Sequence, residues 1–224
     1  MYGIFVAMED SYRHKGLRKQ MVARLREKGI NDTRVLKAIE NVPRHLFLNS
    51  SFLEKAYEEI AFPIGEGQTI SHPYTVAFQT EILNIKKGDK VLEVGTGCGY
   101  QTAVLMEMGA KVFSIERQKK LFDITKTGLP LIGYNPHLYY GDGYKGQPAF
   151  APFDKIIVTA GSPIIPDDLI SQLKLGGRMV IPVGENSNQA MTQIDKTADG
   201  KIVKRTYGDF KFVPLLEEKE WGDA

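Results

Sequence analysis

The stretch VLEVGTGCGY, residues 91–100, decides the fold. Val91, Leu92 and Val94 read as a buried strand, and Gly95, Gly97 and Gly99 interrupt it before a helix that opens near Tyr100. Glycines at such a turn let the backbone bend tightly and approach another molecule with no Cβ in the way.

Downstream the pattern alternates. KVFSIE (111–116), HLYYGD (137–142), DKIIVTAG (154–161) and RMVIPVG (178–184) are strand candidates, with helical stretches near 100–109, 117–132 and 166–174 between them. Short β-rich runs separated by helix-length segments predict an α/β, doubly wound fold with a mostly parallel sheet. After Gly184, MTQIDKT and KIVKRTYG flank Asp199-Gly200 and predict a β-hairpin closing the sheet edge. Upstream, Leu17, Met21, Val22 and Leu25 recur at helical spacing and Gly29 supplies a stop; Asp32 or Thr33 caps a second helix ending near Pro43. AFPIGEGQTISHPY (61–74) is too rich in Gly and Pro for a regular element, and a helix from about Tyr74 to Leu83 leads to the first core strand. The expected organisation is one domain over 1–224. Residues 1–73 form a helical part with a substrate loop, 74–184 the α/β core, and 185–224 the hairpin and tail.

The chain has 224 residues, 42% hydrophobic and 25% charged, which suits a globular protein with a substantial core. Its net charge of +2 gives no electrostatic reason to expect nucleic acid as a partner. Cys98 is the single cysteine, so neither an internal disulfide nor a multi-cysteine metal site is available. MYGIFVAMED is a poor signal peptide, no run is long enough to span a membrane, and a cytoplasmic protein is expected.

The glycine loop has the pattern GxGxG, one residue short of the dinucleotide fingerprint GxGxxG. Glu116 ends the second strand 21 residues after Gly95, where a carboxylate accepts the hydroxyls of a ribose. Asp142 ends the third strand at the same edge and suits an exocyclic amine, with a plain turn before Gly143 as the alternative. Glu93, just before the loop, suits loop amides or a cationic ligand group. A pyrophosphate favours cationic help, whereas this loop has no Lys or Arg and three acids around it. A nucleoside carrying a sulfonium, as in S-adenosylmethionine, fits that charge better than a nicotinamide dinucleotide.

GEGQTISHPY, joined to VLEVGTGCGYQTAVL, SIE, GDGY, APFDKIIVTAG, GGRMVIPVG and FVPL (212–215), resembles the protein-L-isoaspartate O-methyltransferase family from about Leu17 onward. The resemblance implies methyl transfer from S-adenosylmethionine to the free α-carboxylate of L-isoaspartyl residues in damaged proteins and peptides, followed by succinimide formation. It implies Ser71 as the active-site serine, with Thr69 and Ile70 beside it on the substrate. Glu93, Gly95, Thr96, Gly97 and Gly99 are implied in the cofactor loop, Glu116 at the ribose, and Asp142 with Gly143 near the adenine. Val213, Pro214 and Leu215 match the segment that holds the substrate backbone. Cys98 stands where relatives often carry serine. The expected enzyme is a monomer with no metal, and with neither nucleic acid nor membrane as partner.

Such chemistry needs little from the protein. A carboxylate is ionised at neutral pH, so no strong base is required, and none of the four histidines has to serve. Alignment and exclusion of water remain to be supplied. Ser71 can donate to one carboxylate oxygen while the other attacks, or it can simply cap a helix before His72-Pro73. His72 reads as a wall, His14, His45 and His137 have no metal-ligand spacing, and Trp221 is uninformative. Rival readings are an RNA or metabolite methyltransferase, a dehydrogenase, and a non-catalytic binding protein. An adenine-N6 enzyme would carry Asn-Pro-Pro-aromatic where TAGSPI stands.

Overall fold

The computed structural model describes residues 10–185 and 188–220. Trp221 and the first nine residues lie outside them. Seven strands form the central sheet in the order β5-β4-β3-β6-β7-β8-β9. They are β3 (Lys90–Val94), β4 (Lys111–Glu116), β5 (His137–Tyr140), β6 (Phe153–Val158), β7 (Leu173–Val183), β8 (Gln189–Lys196) and β9 (Ile202–Phe210). β5, β4, β3, β6 and β7 run parallel; β8 and β9 return antiparallel in chain order, which is the hairpin expected after Gly184. The chain builds outward from β3 through β4 to β5, then crosses back to lay β6 on the other side of β3. That reversal opens a crevice beyond the carboxyl ends of β3 and β6.

Helices cover both faces: α3 (Pro73–Leu83), α4 (Tyr100–Glu107), α5 (Lys119–Leu131) and α6 (Asp167–Gln172). Strand side chains alternate between faces. Val91, Val112, Ile157 and Val180 pack with Leu83 and Leu105 on the side of α3 and α4. Leu92, Val94, Ile115, Ile156, Val158 and Met179 pack with Leu169 on the other. Both faces are therefore apolar, which is why the strands read as near-continuous hydrophobic runs.

The amino-terminal part folds as α1 (Tyr12–Glu27) and α2 (Thr33–Asn41), capped by Ser11 and Asp32, followed by 3-10 turns at Arg44–Phe47 and Ser50–Lys55. One expectation fails here. Within the stretch read as irregular, β1 (Phe62–Gly65) and β2 (Gln68–Ile70) pair antiparallel. Glu66 and Gly67 both have positive φ, 51° and 66°, and form the two-residue turn whose twist matches a hairpin. Phe62, Ile64 and Ile70 are buried by it. The Glu-Gly dipeptide was the available signal, masked by the surrounding Gly and Pro.

Candidate active site

The crevice consists of two adjoining hollows. The larger, with about 580 Å³ of empty space, is lined by Val94, Gly95, Gly97, Ile115, Glu116, Arg117, Gly143, Thr159, Ala160 and the strap Val213–Leu216, with Gln68 and Thr69 at its rim. The smaller, about 370 Å³, is lined by Thr69, Ile70, Ser71, Val76, Gly95, Thr96, Gly97, Cys98, Tyr100, Gln101 and Thr159. Thr69, Gly95, Gly97 and Thr159 belong to both, so the hollows meet across the glycine loop.

Thr159, just past β6, closes that loop. Its Oγ1 donates to the carbonyls of Val94 (2.9 Å) and Gly95 (2.7 Å). Gly95 has φ +98°, and a Cβ there would stand 2.4 Å from Thr159 Oγ1. At Gly143 a Cβ would stand 2.5 Å from Val94 Cγ1. Gly95 is therefore demanded by close approach as well as by the turn, and Gly143 by close approach alone.

Glu116 sits where the spacing placed it. Its carboxylate accepts from the N–H groups of Gly97 and Gln118, both at 2.8 Å, and forms part of the larger hollow's wall. Burial raises its pKa, against the pull of those amide bonds. A carboxylate oxygen has two lone pairs and Glu116 spends one of each on the backbone, so it retains acceptor capacity for ligand hydroxyls. Apolar Val94, Ile115, Ala160 and Leu215 add flat surface beside it. A nucleoside fits this donor and acceptor set.

Ser71 follows β2 and precedes His72, the cap residue of α3, which receives no side-chain cap bond. Among the described residues no hydrogen bond engages Ser71 Oγ, while its carbonyl accepts from Arg44 Nη2 at 2.8 Å. The hydroxyl is thus not used as a helix cap and is available in the smaller hollow. Val213, Pro214 and Leu215 are pinned across the larger hollow by Gly161, whose N–H donates to Val213 O (2.8 Å) and whose carbonyl accepts from Leu215 N (2.7 Å).

Three predicted site residues lie elsewhere: Glu93, Gly99 and Asp142 line neither hollow. Strand alternation turns Glu93 to the face covered by α4. There it is wholly buried and accepts from Thr102 Oγ1 and, at 2.7 Å, from Ser114 Oγ. Ser114 Oγ also lies 2.6 Å from Thr96 Oγ1. With the single Ser114 proton given to Glu93, Thr96 is the donor, and Glu93 supports the loop through that relay. Gly99 caps α4 and packs on α5, where a Cβ would stand 3.0 Å from the Leu129 side chain. Asp142 accepts from Tyr144 N (2.9 Å) and Glu218 N (3.3 Å), a turn that ties down the chain's tail. The adjacent Arg117 makes the same connection: its Nε donates to Glu218 O and its Nη1 pairs with Glu220 at 3.1 Å. Arg117 also corrects the charge argument, because it puts a cation on a crevice wall read as purely acidic. Thr159, 64 residues beyond Gly95, carried no local signal of its place here, and Arg117, although next to Glu116, none that its cation would line the crevice.

Burial pushes the Glu93 carboxyl up to about 7, with Glu116 adding repulsion and the Thr102 and Ser114 bonds opposing. Its folded pKa exceeds the unfolded value, so the unfolded chain gives up this proton first. The resulting cost is absent below about pH 4.5, grows as pH rises, and is complete above about pH 7. Glu93→Gln is therefore expected to be near neutral at pH 5 and stabilising by about 3 kcal/mol at pH 8, from ~1.4 kcal/mol per pKa unit. Melting temperatures of the two proteins at both pH values test this; a difference that does not widen with pH contradicts it.

Cys98 is buried, and burial holds its thiol at about 11, which leaves it inert in the loop. Sequence spacing gave His14 and His45 no relation, yet their rings stack at 3.8 Å with Asp10 nearby. Arg18 grips both Asp10 oxygens at 3.0 and 2.9 Å, and the His45 Nδ1 lies 2.7 Å from Tyr57 Oη. Stacked rings beside a guanidinium make an ion-pair and packing cluster. Burial lowers the His45 pKa to about 4, so it is neutral there at pH 7.

The comparisons with known proteins agree with this geometry. Residues 16–220 match the family model for Protein-L-isoaspartate(D-aspartate) O-methyltransferase. A protein-L-isoaspartate O-methyltransferase of Flavobacterium psychrophilum is 61% identical over 213 residues, covering 95% of this chain and all of that one. Its counterpart in Christiangramia forsetii is 60% identical over the same shares. Among solved structures, a protein-L-isoaspartate O-methyltransferase superimposes with TM-score 0.79 at 32% identity, over 88% of this chain and 65% of that one. A Plasmodium falciparum chain assigned to the same family, in complex with S-adenosyl-L-homocysteine, gives TM-score 0.76 at 26% identity over 89% and 98%. The chain belongs to the protein-L-isoaspartate(D-aspartate) O-methyltransferase family.

Proposed function

We propose that this protein repairs damaged polypeptides by methylating the free α-carboxylate of L-isoaspartyl residues with S-adenosylmethionine as donor. The observation that carries the reading is the meeting of two hollows at the glycine loop, one walled by the Glu116 carboxylate and the other by the unengaged Ser71 hydroxyl. When bound, S-adenosylmethionine supplies a methyl group on a sulfonium, activated for in-line displacement. Glu116 would hold the ribose hydroxyls. Gly95, Thr96 and Gly97 would give the loop its close approach, and Gly143 with the apolar wall would receive the adenine.

On the other side, Ser71 Oγ donates to one oxygen of the acceptor carboxylate and leaves the second free to attack. Thr69 and Ile70 flank it, while Val213, Pro214 and Leu215, which line the larger hollow, would hold the substrate backbone from the cofactor side. The acceptor enters already ionised, so no residue has to remove a proton. The strap and the β1–β2 hairpin displace water from the reacting atoms, which strengthens the alignment. The product ester then closes to a succinimide without help from the protein. The same reading makes the protein a monomer that works on polypeptides in the cytoplasm, independent of nucleic acid, membrane or metal. A near-balanced charge supports the independence from nucleic acid and anionic membranes.

Two peptides of identical composition test the reading, one with an isoaspartyl linkage and one with normal aspartyl. Each is incubated with the protein and methyl-labelled S-adenosylmethionine, and base-labile label is counted. Label on the isoaspartyl peptide alone is the expected result. Label on neither, with cofactor binding intact, sends the search to other acceptors.

A further inference from the structure

Arg44 is completely buried, and none of the ion pairs among the described residues includes it. Nε and Nη2 go to backbone carbonyls instead, while Nη1 is buried without a hydrogen-bond partner among the described residues. Nε donates to Ala56 O at 3.0 Å, and Nη2 donates to Ile60 O at 3.3 Å and to Ser71 O at 2.8 Å. The guanidinium also lies over the ring of Tyr100, 4.8 Å from its centroid. Tyr100 opens α4 directly after the glycine loop and lines the same hollow as Ser71.

A buried guanidinium is an expensive way to fill space, and an aliphatic side chain would pack there at lower desolvation cost. What the guanidinium provides is a rigid planar fork that reaches several acceptors at once. Here the acceptors are the two ends of the segment from Ala56 to Ser71, which contains the β1–β2 hairpin. Neither end is held by a regular ladder: β1 begins after Ile60 and β2 stops at Ile70. The carbonyl of Ser71 lies outside both β2 and α3, so the arginine serves a group that secondary structure leaves over.

We propose that Arg44 is a positioning residue for methyl transfer: by clamping Ser71 O while lying against Tyr100, it sets the place of the Ser71 hydroxyl relative to the cofactor loop. The inference rests on the role of Ser71 proposed above. Ser71 follows a short hairpin whose own ladder cannot specify where its far end points. Displacing a reacting group by about 1 Å costs on the order of a hundredfold in rate. A guanidinium bonded to the carbonyl of the same residue removes that freedom.

The test is a double-mutant cycle on kcat with Arg44→Lys, Ser71→Ala and the pair, at saturating isoaspartyl peptide and S-adenosylmethionine. S-adenosylhomocysteine affinity, measured by calorimetry, verifies that each variant is folded. Lysine keeps the charge but cannot reach the carbonyls as a planar fork. Arg44→Lys is expected to lower kcat about tenfold with cofactor affinity unchanged, and to lower it less than twofold where Ser71 is already alanine. Equal losses in both backgrounds would show a general packing role and overturn the proposal, as would an unchanged kcat in the native background. Failure of the Ser71 reading itself appears separately, as full activity in Ser71→Ala alone. Should Arg44→Lys not fold, Tyr100→Leu, which removes the ring under the guanidinium, enters the same cycle with the same criterion.

Discussion

Ser71→Ala is expected to lower kcat for an isoaspartyl peptide by about a hundredfold, leave S-adenosylmethionine affinity within twofold, and barely move the melting temperature. The stability expectation follows from the hydroxyl itself, which no hydrogen bond engages among the described residues and which faces a hollow. The cofactor expectation follows from the division of the site, since Ser71 lines the smaller hollow while Glu116 and Gly143 line the larger. Losing one preorganised donor at a reacting centre costs ~10²–10³ in kcat. Ser71 also bonds the carboxylate before reaction, so only the part of its bond that improves alignment counts, which favours the lower end. Ser71→Thr keeps a hydroxyl and should retain most of the activity. Initial rates at saturating substrates, with calorimetric cofactor binding, decide the matter; a kcat within threefold of the native value returns Ser71 to a structural role.

Gly95→Ala is expected to cost about 2–4 kcal/mol of stability and more than tenfold in cofactor affinity. Two costs combine. The residue sits at φ +98°, where a side chain is strained by ~1–3 kcal/mol. The new Cβ would stand 2.4 Å from Thr159 Oγ1 and force it off the carbonyls of Val94 and Gly95, which share its single proton, a loss of ~1 kcal/mol. Those bonds tie β3 to the residue after β6 at the mouth of the crevice, so damage there reaches both hollows. Gly16→Ala supplies the control: that glycine lies inside α1 with nothing within 4 Å of the added carbon. It should stabilise by ~0.5–1 kcal/mol, because alanine is the better helix former. Thermal melts of both variants and cofactor titrations check the pair, and a harmless Gly95→Ala would show that the loop can reshape around the intruding carbon.

Much of this was legible in residues 91–116 alone. A buried strand, a turn of glycines and an acid one strand further on are local patterns with a chemical meaning, and the structure places Gly95, Gly97 and Glu116 together as that pattern requires. Glu93 shows the limit. Its distance from the glycines was readable, but the face it occupies depends on the pairing of β3 with β4, which sets Glu93 opposite Ser114 and beneath Thr102. Asp142 shows another: its place at the end of the third strand suited an exocyclic amine, with a plain turn as the alternative, and the hydrogen bonds it accepts from Tyr144 and, out of the distant tail, from Glu218 include a contact that no local pattern announced. The β1–β2 hairpin escaped because Gly and Pro conceal a ladder only a few residues long.

The order of strands and helices, the glycine turn and the acid that follows it were determined by the sequence itself, because periodicity, capping and turn chemistry act over a few residues. Tertiary structure decided which of the nearby acids faces the crevice, that Thr159, Arg117 and the Val213–Leu215 strap complete it, and that Arg44 holds Ser71 from 27 residues away. Those outcomes depend on strand register and on contacts between distant segments, and no short stretch of chain contains the forces that set them.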